Sequence, residues 1–255
     1  MDIQWATVLV SFATGALTGA LVTYFRHWLA RRREAESREF AKAQERDRLR
    51  REHYSRALAY AQNKQSLRAC DLTGQDLSGV YLKRADLQRA TLSATDLSGS
   101  DLEEANLIGA DLRGANLSGA NLTKTALEDA DLEGATLRTA VLKDASMAGA
   151  RLQRADLVDA LLEDANLEWA NLQQTDLQGA NLKKANLGAA RLQEANLQGA
   201  DLKGVNLAEA MLQGANLQGA NLKKANLEGA HLRGAKLDHS TTMPKDWEAA
   251  VASKA

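Results

Sequence analysis

One cysteine and four histidines among 255 residues, with aromatic residues at only 4%, leave little from which to assemble a reaction centre. A single cysteine, Cys70, excludes a disulfide framework, and its small inward position in the pattern described below assigns it to packing. That usage is compatible with a reducing compartment. His27 and His53 lie ahead of the patterned region and His231 and His239 at its far end, so no metal or Cys/His set forms at ordinary spacing. Phosphate-cradling and dinucleotide fingerprints are absent, because the 18 glycines mostly recur at one place in a short repeat rather than in a strand, loop and helix context. Aspartates are plentiful, but those from Asp71 to Asp201 recur at one ordinary polar position of the repeat, which singles out no catalytic pair. The chain is read as non-enzymatic, with no cofactor and no metal.

What the chain has in abundance is leucine at a fixed interval. Every fifth position from 67 to 237 is leucine, Met147 excepted. The pentads read as a small residue, Asp or Asn, Leu, and two variable residues, as in Ala110-Asp111-Leu112-Arg113-Gly114 and Ala215-Asn216-Leu217-Gln218-Gly219. A period so short belongs to solenoids, in which a repeat buries its apolar side chains only by stacking on neighbours. Leu and the small residue two before it point inward, where a narrow coil has no room for two large side chains. The substitutes in the small column are mostly small or β-branched, namely Cys70, Val80, Thr95, Ser100, Thr125, Thr175 and Val205, with Gln75 an exception. The other positions face water and are polar. Gly109, Gly114 and Gly119 occupy the position suited to a tight corner.

This pattern resembles the pentapeptide repeat family over roughly residues 65–240. The resemblance implies an all-β solenoid, a right-handed quadrilateral β-helix with four pentads per coil. Positions 20 apart then stack at the roughly 4.8 Å spacing of paired strands, which gives about nine coils and a rod roughly 40 Å long. In that register Ser78, Ser98 and Ser118 align, as do Gln153, Gln173, Gln193 and Gln213, then Gln178, Gln198 and Gln218, and also Asn181 and Asn221. Such columns are expected to hydrogen-bond along the axis as structural ladders.

Solenoid ends need caps. After Leu237 the pattern stops, and residues 241–255 read as a capping helix and tail with Pro244 near the first turn and Trp247 over the last coil. At the other end Leu58, Tyr60 and Ala61 are placed to cover the first coil.

Residues 3–25 carry no formal charge over 23 positions, long enough for a bilayer-spanning helix. Trp5 lies near one end and Tyr24, Phe25 and Trp28 near the other, as interfacial belts require. A cleavable signal peptide fits less well, since no basic residue precedes the apolar run and Arg26, Arg31, Arg32 and Arg33 follow it. Residues 1–28 are therefore read as a single-pass plasma-membrane anchor, N-terminus outside, with the rod cytoplasmic. Ser11, Gly15, Gly19 and Thr23 recur every four residues, a small face that would permit close helix association and hence a homodimer.

Residues 29–64 read as a charged helical stalk and N-terminal cap. From 26 to 64 there is no Gly or Pro, and 12 basic residues face 6 acidic ones, with acid-to-base pairs at Glu34/Arg38, Asp47/Arg51 and Glu52/Arg56. That net charge of +6 also suits an anionic leaflet. The whole chain sums to −1 because residues 65–240 hold 18 basic and 24 acidic residues.

A binding role then falls to the outer faces. Lys183, Lys184, Lys203, Lys223 and Lys224 form a stripe on one face, Asp96, Asp101, Glu103, Glu104 and Asp111 an acidic region, and Val141 and Leu161 an apolar pair in the lysine face. Trp169 stands at an outer position between Gly149 and Ala189. The favoured reading is a membrane-tethered scaffold for a cytoplasmic protein. The alternative comes from the resemblance, whose best understood members are acidic dimers that mimic duplex DNA and bind DNA gyrase. Mimicry needs a continuous negative potential, which the lysine stripe interrupts. Nucleic-acid binding through the stripe is disfavoured by the acidic rod and by lysines without interleaved aromatics.

Overall fold

The computed structural model describes residues 19–60, 66–245 and 247–248, and only the backbone at 19–26, 46, 47 and 50. Two compact units divide the chain, Met1–Leu49 and Arg50–Ala255.

Helix α1, Gly19–Leu58, runs for 40 residues without a break at position 28. Its charged surface is laced by short-range pairs: Arg38 with Glu34 at 3.8 Å and Arg56 with Glu52 at 3.4 Å, as the spacing required, and Arg32 with Glu36 at 3.0 Å. The Asp47/Arg51 pair lies outside the described side chains. Trp28 is half exposed, with the Arg32 guanidinium 5.6 Å from its ring centre. Among the described residues no helix is long and apolar enough to cross a membrane. The apolar segment falls largely outside them, as do Ser11 and Gly15, while Gly19 and Thr23 sit one turn apart on the α1 backbone.

The second unit is a four-sided coil. Parallel bridges join residues 20 apart, from Asp71↔Thr91 to Asn216↔Lys236, without a slip. Hydrogen bonding explains the pentad residue by residue, and residues 110–114 show it. Ala110 N–H donates to Leu107 O within the turn at 2.9 Å. Asp111 N–H reaches back one coil to Ala90 O at 3.0 Å, while Leu112 and Gly114 N–H reach forward to Asp131 O at 2.7 Å and Glu133 O at 3.0 Å. That leaves Arg113 N–H, which donates to Asp111 Oδ1 at 3.2 Å. The Asp/Asn column thus supplies the acceptor that the backbone lacks for the fifth N–H, and a short side chain with one carbonyl-like oxygen is what reaches it.

Leu and Ala fill the interior. Leu112, Ala115, Leu117 and Ala120 are wholly buried, as are Thr95, Thr125 and Thr175 in the small column. These hydroxyls are satisfied by Leu72, Leu102 and Leu152 carbonyls at 2.7, 2.8 and 2.7 Å, and Ser100 bonds Leu97 O at 2.7 Å. Each corner residue has positive φ, glycine or not: Gly114 at +62° and Trp169 at +61°. Side chains packed over the neighbouring corner can also crowd the position, since a Cβ on Gly149 would lie 2.6 Å from Asp129 Oδ1 and that carboxylate would have to turn aside.

The caps differ in part from expectation. Tyr60 and Ala57 are buried against the first coil with Tyr54 beside them, whereas Leu58 is half exposed and Ala61 lies outside the described residues. One helical turn separates Ala57 from Tyr54, so that face, not the Leu58 face, meets the rod. His53 Nδ1 accepts the Asp71 N–H at 3.0 Å, filling a donor that no preceding coil serves. At the other end the register lengthens to 21, with Asn221 bridging Thr242. Leu237 swings out to 38% exposure, and Met243 and Trp247 pack on the core in its stead. Beyond residues 247–248 the expected capping helix lies outside the described residues.

Candidate interaction faces

Each coil presents four outer faces, named here by the columns that begin at Tyr81 (A), Asp86 (B), Thr91 (C) and Asp96 (D). Over residues 66–239 face A carries nine basic and seven acidic side chains, B two and six, C five and five, and D two and six. Half of the rod's basic residues therefore share one face.

On face A the structure brings together Lys183, Lys184, Lys203, Lys223 and Lys224 over consecutive coils. Asp201 pairs with Lys183 at 3.1 Å; among the described residues the other four lysines make no ion pair. Val141 bridges Leu161 in the same face, and Leu161 is 44% exposed. Neither can offer the Oδ1 acceptor that Asp or Asn would give the next N–H but one, so these two pentads forgo a structural bond for an outward apolar group.

The acidic region does not assemble as expected. Asp101, Glu103 and Glu104 lie on face A, Asp96 on face D and Asp111 on face C. Charge pairing also blunts it. Lys83 holds Glu103 and Arg84 holds Glu104, each at 2.6 Å across one coil, and the Arg84 hydrogen bond keeps the Glu104 carboxyl below the usual carboxylate range. Arg113 does the same for Asp111.

Trp169 lies on face B, at its corner with C, so it is not joined to Val141 and Leu161. Two-thirds of it is exposed. On the C side its neighbours in register are Arg151, Asn171 and Arg191.

The expected ladders are corrected in kind. Side-chain bonds between coils form in the Asp/Asn column: Asn186 to Asn166 at 3.2 Å, Asn206 to Asn186 at 2.8 Å, Asn226 to Asn206 at 3.1 Å, and Asn116 to Asp96 at 3.1 Å. Ser78 and Ser118 instead bond Asp76 and Asn116 of their own pentads at 2.7 Å. Among the described residues no glutamine column bonds to itself. Asn221 is bonded to Asp201 at 3.1 Å, not to Asn181 two coils away. The reason is torsional: Oδ1 of Asx is pinned by a backbone N–H, which aims Nδ2 along the axis, whereas the longer glutamine chain has no such fix.

Sequence reasoning missed Asp238. Its Oδ1 accepts Gly219 N–H, Ser240 N–H and Thr241 N–H at 3.0 Å each, plus the Ser240 hydroxyl at 2.7 Å. Together these bonds, led by the Ser240 hydroxyl, hold its carboxyl well below the usual range. The Asp-x-Ser-Thr string after the last regular leucine was the available signal. No group of three or more potential metal ligands occurs among the described residues.

A family model described as pentapeptide repeats matches in eight copies, over residues 66–103, 100–138, 127–168, 160–199 and 200–238. Among solved structures, HetL, a pentapeptide repeat protein involved in heterocyst differentiation regulation from the cyanobacterium Nostoc sp. strain PCC 7120, is 33% identical, covering 70% of this chain and 91% of its own, with a TM-score of 0.48. QnrB1, a plasmid-mediated fluoroquinolone resistance protein, is 22% identical in a trypsin-treated form, covering 66% of this chain and 87% of its own, TM-score 0.46. A pentapeptide repeat protein of the Arabidopsis thaliana thylakoid lumen is 31% identical, covering 49% and 69%, TM-score 0.27. No curated protein matches in sequence. With the repeat model spanning residues 66–238 in the register that the hydrogen bonds define, the chain belongs to the pentapeptide repeat family.

Proposed function

We propose that the protein is a non-enzymatic, membrane-tethered interaction scaffold whose face A recognises an acidic surface of a cytoplasmic partner protein. The observation that carries this reading is the segregation of charge: five lysines lie on three consecutive coils of one face, four of them without an ion pair among the described residues, on a rod whose faces B and D are acidic. Such a surface steers an oppositely charged partner and fixes its register. Tethering rests on residues 3–25, uncharged throughout and followed by a basic cluster. The DNA-mimic alternative is weakened by face A, and similarity to QnrB1 at 22% identity extends to the fold alone.

In-cell cross-linking of the full-length protein tests the reading, beside a variant with Lys183, Lys184, Lys203, Lys223 and Lys224 changed to Glu. A discrete partner lost from the variant supports it. Recovery of a topoisomerase, or self-cross-links alone, would overturn it. Deletion of residues 1–25 should move the protein from the membrane to the soluble fraction.

A further inference from the structure

We propose that face C, opposite the lysine face, binds an extended peptide segment along the column Gln153, Gln173, Gln193 and Gln213, with Trp169 as the apolar anchor at its edge. This adds a second binding face and rests on the scaffold reading.

The column is regular, because the residues two before each glutamine are bridged in turn: Arg151↔Asn171, Asn171↔Arg191, Arg191↔Met211. A side-chain amide offers the same donor and acceptor pair as a peptide group. Gln173 Oε1 accepts from Arg191 Nη2 at 3.3 Å. Among the described residues the other three acceptors are unused: Oε1 of Gln153, Gln193 and Gln213 is tucked away from solvent with no hydrogen-bond donor. The terminal torsion of glutamine is broad and roughly two-fold, so a half-turn brings these three oxygens outward, at Gln193 in exchange for the weak Nε2 bond to Met211 Sδ at 3.2 Å. Gln153, Gln173 and Gln193 also line a shallow concavity of about 330 Å³ with Arg154, Gln174 and Glu194.

Three features select the occupant. Phosphate polymers offer acceptors only, and face C, with five basic and five acidic residues, does not attract them. A peptide supplies the missing N–H donors. An extended polyproline-II segment also advances about 9.3 Å per three-residue turn, against roughly 9.6 Å for two coils, so the same edge of the peptide meets every second amide. Trp169, two-thirds exposed, has only Gly149 and Ala189 in its own column one coil away on either side, which leaves its ring open to an apolar side chain.

The test pans a displayed library of random linear 12-residue peptides against the full-length protein in amine-oxide micelles, then measures enriched peptides by fluorescence anisotropy. Trp169→Ala and the triple change of Gln153, Gln173 and Gln193 to Ala should each weaken binding by about tenfold or more. The five-lysine variant should bind unchanged, which separates this proposal from the face A reading. N-methylation along the peptide should weaken binding with a three-residue period. Wild-type affinity in the Trp169 or the glutamine variant, or no peptide enriched over bare micelles, would sink the proposal. So would displacement of the peptides by cellohexaose or chitohexaose, which would assign the amide column to a hydroxyl-rich glycan. Circular dichroism of each variant, unchanged in a surface substitution, shows that the rod is intact.

Discussion

Asn206 donates its Nδ2 to Oδ1 of Asn186 one coil earlier at 2.8 Å, while Asn186 Oδ1 also takes the Gly188 N–H at 3.2 Å. One oxygen thus closes a turn and joins two coils. Asn186→Ala removes both bonds and the donor to Asn166, and should cost about 1–3 kcal/mol. Asn186→Asp keeps the acceptor and should cost less. Denaturant midpoints of the two variants check the order, and equal losses would show that the Oδ1 acceptor, which serves both the turn and the Asn206 bond, contributes nothing.

The core tolerates change unequally. Leu142 is fully buried, and Leu142→Ala should cost about 2–5 kcal/mol through the cavity it opens. Thr125→Ala forfeits one 2.8 Å bond to Leu102 O, a carbonyl that Ala105 N–H still occupies, so its cost should stay within about 1 kcal/mol. Thermal melts of both variants provide the comparison. Thr125→Val keeps the methyl and loses only the hydroxyl, so a Thr125→Val loss as large as that of Leu142→Ala would mean that the hydroxyl bond is not replaceable there.

Much of this architecture was legible in the sequence because a five-residue period admits few solutions. The inward Leu and small columns, the 20-residue register and the face A lysines all follow from it, and the bridges reproduce them. What was not legible depends on torsions rather than period. Gln153 and Gln173 stack as expected yet do not bond each other, while Asn186 and Asn206 do. The end caps were harder still, since Leu58 and Tyr60 are two residues apart on one helical end and only packing decides which faces the coil.

Acid should loosen the C-terminal cap. The Asp238 carboxyl titrates below its unfolded value, so its contribution is complete above the ordinary carboxylate range, about pH 4, and is lost as pH falls through its depressed folded value. Hydrogen exchange should show the Gly219, Ser240 and Thr241 amides protected near neutrality and open in strong acid. Asp238→Ala should open them at neutral pH. Protection that survives the substitution would remove Asp238 from the cap.

Cys70 reports on the opposite end. Burial pushes its thiol pKa up, against the pull of the Arg56 guanidinium whose Nη1 lies 4.0 Å from Sγ. Alkylation of the folded protein at pH 8 should therefore be slower than that of a free thiol by about a hundredfold. Tyr60→Ala, which removes a buried contact of the N-terminal cap, should speed it severalfold. A thiol as reactive in the folded wild type as in a peptide would show that the α1 end does not stay docked.

Trp169 sets stability against recognition. Its φ of +61° puts a bulky side chain in the left-handed region, at a position where Gly149, one coil earlier, sits at +69° without that cost. Its exposure means that little burial compensates. Trp169→Gly should therefore stabilise the rod by up to about 1 kcal/mol, the reverse of the usual effect of removing a tryptophan, while abolishing the anchor of face C. A residue that weakens the fold yet projects into solvent is the kind that function retains, because packing alone would replace it. If Trp169→Gly instead lowers the denaturant midpoint, the indole is part of the rod's own packing and the assignment of this corner to a ligand loses its physical basis.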